Sequence, residues 1–182
     1  MPLNHSSQYA ELTDAHFQAI GKITVEWSNI EFLLGLLLSR LLVTPDFLAR
    51  TYTDQMSGAK RQEAIKEASE IHRDRFSYKL ISEENIKYII DLNDQITQIR
   101  STRNKFAHFC WSRRNDDEIF GTNLSGGIPK GKKYRRSYIS YTVTELSDFH
   151  KKSYAIVDKL LELMQSLPET EEEGLTSKVT ER

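Results

Sequence analysis

Seven apolar residues, Ile20, Ile23, Trp27, Ile30, Leu34, Leu37 and Leu41, recur at alternating steps of three and four. Only a helix places residues so spaced on one face, because a helical turn takes about 3.6 residues and a strand would need a period of two. The seam therefore commits this stretch to one long amphipathic helix. Thr13 or Asp14 stands where it can cap the start, and Pro45 ends the helix just after Thr44. Phe32, Leu33, Leu36 and Leu38 add apolar faces in the second half. That half is expected to be covered on more than one side, with the core and a second subunit as the candidate covers. The run Ile30 to Val43 contains Glu31, Ser39 and Arg40. It falls short of the roughly 18 to 20 charge-free residues that span a bilayer, so it reads as a buried helix and no membrane partner is expected.

The same spacing predicts further helices. Gly58 to Arg73 carries a narrower stripe, Ala64, Ile65, Ala68 and Ile71, and Asp46 to Met56 has room for a turn or two before it. Ser82 followed by Glu83 and Glu84 is a helix start, with a capping hydroxyl and acids at the positive end of the dipole. From there Ile89, Leu92, Ile96 and Ile99 form a stripe whose extension reaches Arg103, Phe106 and Cys110, so a permanent charge falls where an apolar residue is expected. The last helix repeats the seam at Leu146, Phe149, Ser153, Ile156, Leu160, Leu163 and Leu167, with Thr142 or Thr144 near its start. Between the third and last of these, Glu118 to Thr122 and Tyr134 to Val143 are aromatic and β-branched and flank the turn Gly126-Gly127-Ile128-Pro129-Lys130-Gly131, which predicts a small hairpin.

The expected fold class is all-α: an antiparallel four- to five-helix bundle with a small β-hairpin or ordered loop before the last helix. Its organisation reads as a polar lead-in over residues 1–12, one helical domain over 13–167 and an acidic flexible tail over 168–182, where Glu169, Glu171, Glu172 and Glu173 have almost nothing to bury. The lead-in lacks the basic and apolar regions of a signal peptide. With one cysteine, Cys110, no bridge can form within the chain, and a reducing, cytoplasmic setting is expected. The net charge of -1 argues against a protein that coats nucleic acid over its whole surface but leaves room for a local basic patch.

Chemistry concentrates at Arg103-Asn104-Lys105-Phe106-Ala107-His108, followed by Trp111. On a helix Asn104 and His108 share a face, while Arg103 lies about 140° around the axis and roughly 7.5 Å along it from His108, a gap its long side chain can close. Histidine moves a proton near neutral pH, and arginine offers a planar, permanently charged fork to a phosphate. The set suits a phosphodiester.

With its place at the end of a long helix, its Asn directly after the Arg and a Trp-containing helix opening the chain, this motif resembles that of the HEPN superfamily, helical bundles with an Arg-x4-6-His signature. The resemblance covers about residues 13 to 167. It implies a homodimer that brings two motifs together and, in active members, metal-independent endoribonuclease activity on RNA, with no cofactor. His108 would transfer the proton, Arg103 would steady the phosphate and Asn104 would orient the site. The 2′-OH would attack the adjacent phosphate and leave a cyclic phosphate end, so DNA would be refused. A toxin of a toxin-antitoxin pair or a phage-defence effector fits that activity, with an antitoxin or regulatory protein as a further partner. Inactive relatives with the same fold leave the alternative of a silent module that binds RNA, a nucleotide or a protein, or one that serves dimerisation alone.

Simpler roles compete at each position. Arg103 can pair with a first-helix carboxylate, Glu26 or, better placed, Glu31, and so fix helix register. His108 can complete a helix end. Trp27 reads as a core anchor, and Trp111, close to the motif at a helix end, either packs over the site or belongs to the core. Lys130, Lys132, Lys133, Arg135 and Arg136, interleaved with Tyr134 and followed by Tyr138, suit an RNA backbone with stacking tyrosines, or equally a solvated hairpin tip. Cys110 is expected to pack beneath the site. No Cys or His spacing suits zinc, and Gly126-Gly127 lacks the Lys-Ser/Thr of a phosphate loop.

Overall fold

The computed structural model describes residues 10–122 and 138–170. The basic segment with Lys130, Lys132, Lys133, Tyr134, Arg135 and Arg136, most of the lead-in and residues 171–182 of the tail lie outside the described residues. The order of elements is α1 (Asp14–Leu41), α2 (Asp46–Thr53), α3 (Gly58–Asp74), α4 (Glu83–His108), β1 (Cys110–Arg113), β2 (Glu118–Thr122), β3 (Tyr138–Thr142) and α5 (Val143–Ser166). This is a mostly-α helical bundle with a small antiparallel sheet before the last helix, as the periodicity predicts.

Local chemistry sets the helix ends. Thr13 Oγ1 accepts from the His16 amide at 3.4 Å while the Thr13 amide donates to His16 Nδ1 at 3.1 Å. This is a reciprocal cap in which an imidazole stands where Glu or Gln is usual. Ser57 and Ser82 cap α3 and α4 through the amides of Lys60 and Asn85. At α5 the Thr142 amide donates to Glu145 Oε2 at 2.8 Å and the Glu145 amide donates to Thr142 Oγ1 at 3.1 Å, a capping box.

The end of α1 is less comfortable. The Val43 amide donates to the Arg40 carbonyl and the Thr44 amide to the Ser39 carbonyl, which closes the helix with Val43 at φ 48°. That left-handed position normally holds glycine, since a β-branched side chain there crowds the backbone. Val43 is about half exposed and buries little. Val43→Gly is therefore expected to raise the unfolding free energy by about 1 kcal/mol, read by urea denaturation, through relief of the strained torsion.

The chain divides into two compact units. Among the described residues, the first comprises 10–28, 99–122 and 138–155, and the second 29–98 and 156–170. In the second, Ile30, Leu34, Leu37 and Leu41 of α1 are buried, as are Ile65 of α3, Ile89, Leu92 and Ile96 of α4, and Leu160 and Leu163 of α5. Leu33 and Leu38 are buried too, whereas Phe32 stays 53% exposed, so part of the expected second apolar face is covered within the chain. Arg40, itself buried, holds Asp46 at 3.1 Å and Glu169 at 3.0 Å, tying the start of the acidic tail to the end of α1.

The stripe on α3 differs from expectation. Ile71 is 50% exposed and His72 is buried. The helix is rotated so that Gln62, Ile65, Ser69 and His72 face inward, and the polar members find backbone partners there. Gln62 Nε2 donates to the Asn93 carbonyl at 2.9 Å, Asn93 Nδ2 donates to the Gln62 carbonyl at 3.0 Å, and His72 Nε2 lies 2.7 Å from the Leu41 carbonyl. Polar groups that find a partner can occupy a core that an apolar count would reserve for isoleucine, here with His72 Nδ1 and Asn93 Oδ1 buried and unpartnered among the described residues.

In the first unit Ile23, Phe106, Ile119 and Leu146 form the core, with Ile20, Trp111, Tyr141 and Phe149 packed on it. The expected hairpin is one part of a three-stranded sheet, β1-β2-β3, in which Trp111 faces Gly121 and Ile119 faces Tyr141. The extra strand, β1, corrects two expectations. Because α4 stops at His108, its stripe ends at Phe106, and Cys110 is an exposed strand residue. It does not pack beneath the site. Trp111 likewise sits on a strand and not on a helix end.

Candidate functional site

Phe106 sets the rotation of the last turn of α4. It is buried, with Trp111, Tyr141 and Phe149 rings centred 5.2, 5.2 and 5.9 Å away. With Phe106 inward, Asn104 and His108 fall on the exposed side, four residues apart on one face, and Lys105 is partly covered. Arg103, three residues before Phe106, is half-buried, and its guanidinium carbon lies 5.6 Å from the centre of the Trp27 ring. A guanidinium over an indole face is held by the ring quadrupole, and that contact ties the fork to Trp27. Trp27 is 2% exposed, a core anchor that also serves as a platform for Arg103.

Trp111 reaches the same turn from β1. Its Nε1 donates to the Phe106 carbonyl at 3.3 Å, and its ring stacks on Phe106 at 19° between planes. It thus takes up one of the carbonyls that every helix C-terminus leaves free and braces the segment carrying Arg103, Asn104 and His108. Gly121 makes this possible. A Cβ there would stand 2.7 Å from Trp111 Cε3, so the indole lies flat over a strand position that only glycine leaves open.

Arg103, Asn104, His108 and Trp111 belong to one unit. Glu31 belongs to the other, where its carbonyl accepts from Arg61 Nη1 at 3.0 Å. Glu26, the second carboxylate weighed for Arg103, has its Oε1 3.6 Å from His150 Nε2. His150 and Tyr141 were not singled out by sequence. His150 follows Phe149 on the α5 seam, and only the packing of α5 shows that it meets Glu26. Burial pushes the Tyr141 phenol above its ordinary value, and Glu145 adds to the shift. The folded state thus keeps a proton that the unfolded chain gives up near the usual value of about 10, so stability falls as pH rises beyond it. Tyr141→Phe is expected to flatten that alkaline loss, followed by the melting temperature between roughly pH 9 and 11. Tyr88, raised by burial as well, supplies a remainder.

Among the described residues no group of three or more His, Cys, Asp or Glu side chains could hold a metal ion, and no single helix is long and apolar enough to cross a membrane. Compared with models of protein families, with curated proteins and with solved structures, the chain matches none.

Proposed function

We propose that the chain is a HEPN-like, homodimeric and cytoplasmic endoribonuclease that cuts RNA without a metal, and that it serves as a toxin or phage-defence effector. The observation that carries this reading is the end of α4, where Asn104 and His108 share one exposed face and Arg103, five residues before His108, holds its fork over Trp27. An exposed imidazole can take the proton from a substrate hydroxyl, and a steadied guanidinium can meet the charge that grows on phosphorus-bound oxygens. In the step itself the 2′-oxygen bonds to the adjacent phosphorus as its proton passes to His108. The bond from phosphorus to the 5′-oxygen breaks, and that oxygen leaves as a hydroxyl after gaining a proton. A 2′,3′-cyclic phosphate remains.

The test is incubation of the purified chain with single-stranded RNA in EDTA. Fragments ending in a cyclic phosphate, with the DNA of the same sequence left whole, are expected; intact RNA would overturn the reading.

The contact of Arg103 with Trp27 also favours a second reading, in which the arginine serves packing and the module binds RNA, a nucleotide or a protein without cutting. Retained binding of uncut RNA would support it.

A further inference from the structure

A second set of polar side chains lies in the first unit, on the faces that α1 and α5 turn to one another. Ala15 and Ala19 of α1 and Ser147 of α5 are small, and a cleft of about 120 Å³ remains above them, edged by Gln18, Lys22 and His150. That is well under the ~300 Å³ at which pockets for drug-sized ligands begin, but it has room for a tetrahedral oxyanion.

The edge is suited to negative charge. Lys22 is exposed and makes no ion pair among the described residues. His150 turns Nε2 toward Glu26 Oε1, 3.6 Å away, and the two side chains are only 25% and 14% exposed. A carboxylate facing one ring N–H orients an imidazole; in the imidazolium the other nitrogen is then a second donor, whereas in the neutral ring it is an acceptor. Nδ1 of His150 has no hydrogen bond among the described residues, and Gln18 and Ser147 add neutral donors at the same cleft. The acids of the first turns of α5 are already engaged. Glu145 accepts from the Thr142 amide, and Asp148 holds Lys151 at 3.0 Å.

We propose that the cleft edged by Lys22 and His150 binds a phosphate-class oxyanion. Lys22 supplies the permanent charge, His150 as the imidazolium offers Nδ1–H while Nε2 faces Glu26, and Gln18 and Ser147 are the remaining donors. This site stands apart from the reading of Arg103 and His108, and it holds whether or not the chain cuts RNA.

The probe is inorganic phosphate, titrated into the full chain near pH 6.5 while the His150 ring signals and the Ser147 amide are followed by NMR. Saturable shifts with a dissociation constant of about 1 mM are expected. Lys22→Met, a change at an exposed side chain, is expected to weaken binding about tenfold, as loss of one charge-assisted contact does. His108→Ala should leave the titration unchanged, which separates this site from the proposed cleavage site. A 5′-mononucleotide and a 2′-O-methyl RNA distinguish the two sources of phosphate. Displacement by the RNA at lower concentration than by the mononucleotide assigns the cleft to a chain phosphate, and equal displacement assigns it to free phosphate esters. A linear, non-saturating drift, or the same curve in Lys22→Met, would overturn the proposal.

Discussion

Replacing His108 with alanine is expected to slow the proposed RNA cleavage by about 10²- to 10⁴-fold, the usual loss when a positioned proton-transfer group is removed. The fold should hardly respond. His108 is the last residue of α4 and is exposed, and Phe106, not His108, anchors that turn in the core. Surface changes of this kind cost within about 0.5 kcal/mol, so the melting temperature should move by no more than about 2 °C. The contrast between a large kinetic loss and an unmoved melting curve is the diagnostic. Equal cleavage by wild type and variant would remove His108 from the chemistry, whereas a collapsed melting curve would show it to be a structural cap. Arg103→Lys sharpens the comparison. It keeps the charge but loses the planar fork over Trp27, and it should therefore weaken cleavage while His108 remains in place.

Gly121→Val is expected to lower stability by about 2 to 4 kcal/mol, from overpacking together with a lost ring stack. The first atom of the new side chain would sit within 2.7 to 2.9 Å of three atoms of the Trp111 ring. Trp111 has nowhere easy to go, because it is stacked on Phe106, tilted against Tyr141 and bonded through Nε1 to the Phe106 carbonyl. Either the indole leaves that carbonyl or β1 slips against β2. The expected signs are a melting temperature lower by roughly 4 to 15 °C and altered tryptophan fluorescence. In a Trp111→Ala background the same glycine substitution should cost far less, since the clash is gone, and the cycle would give a coupling energy of about 1 to 3 kcal/mol. Additive costs would show that the glycine answers to something other than the indole. Because Trp111 braces the helix end, Gly121→Val should also reduce cleavage, unlike a surface change of similar size elsewhere.

Much of the architecture was legible in the order of residues. The seam from Ile20 to Leu41, the hydroxyl caps at Thr13, Ser82 and Thr142, and the seam from Leu146 to Leu167 all concern neighbours within three or four positions, and helical geometry alone relates such neighbours. The shared face of Asn104 and His108 was readable for the same reason. Partners across elements were not. Arg103 calls for a counterpart on the first helix, but whether that is Glu26, Glu31 or the Trp27 ring depends on how two helices are rotated about their axes, which no local pattern encodes. The observed counterpart is the ring.

Similar reasons account for the corrections. An apolar stripe extrapolated past His108 assumes that the helix continues; β1 pairs with β2 at that point, so the period changes from 3.6 to 2 and Cys110 turns outward. On α3 an apolar count prefers Ile71 to His72, whereas a carbonyl left free at the end of α1 makes the imidazole the better core residue. Which segments are helical, where they begin and which turn carries Arg103, Asn104 and His108 follow from short-range periodicity and capping, and so can be read along the chain. That Arg103 rests on Trp27, that Gly121 makes room for Trp111 and that His150 meets Glu26 came only with the packed fold, because each joins residues far apart in the chain whose meeting depends on how whole elements pack.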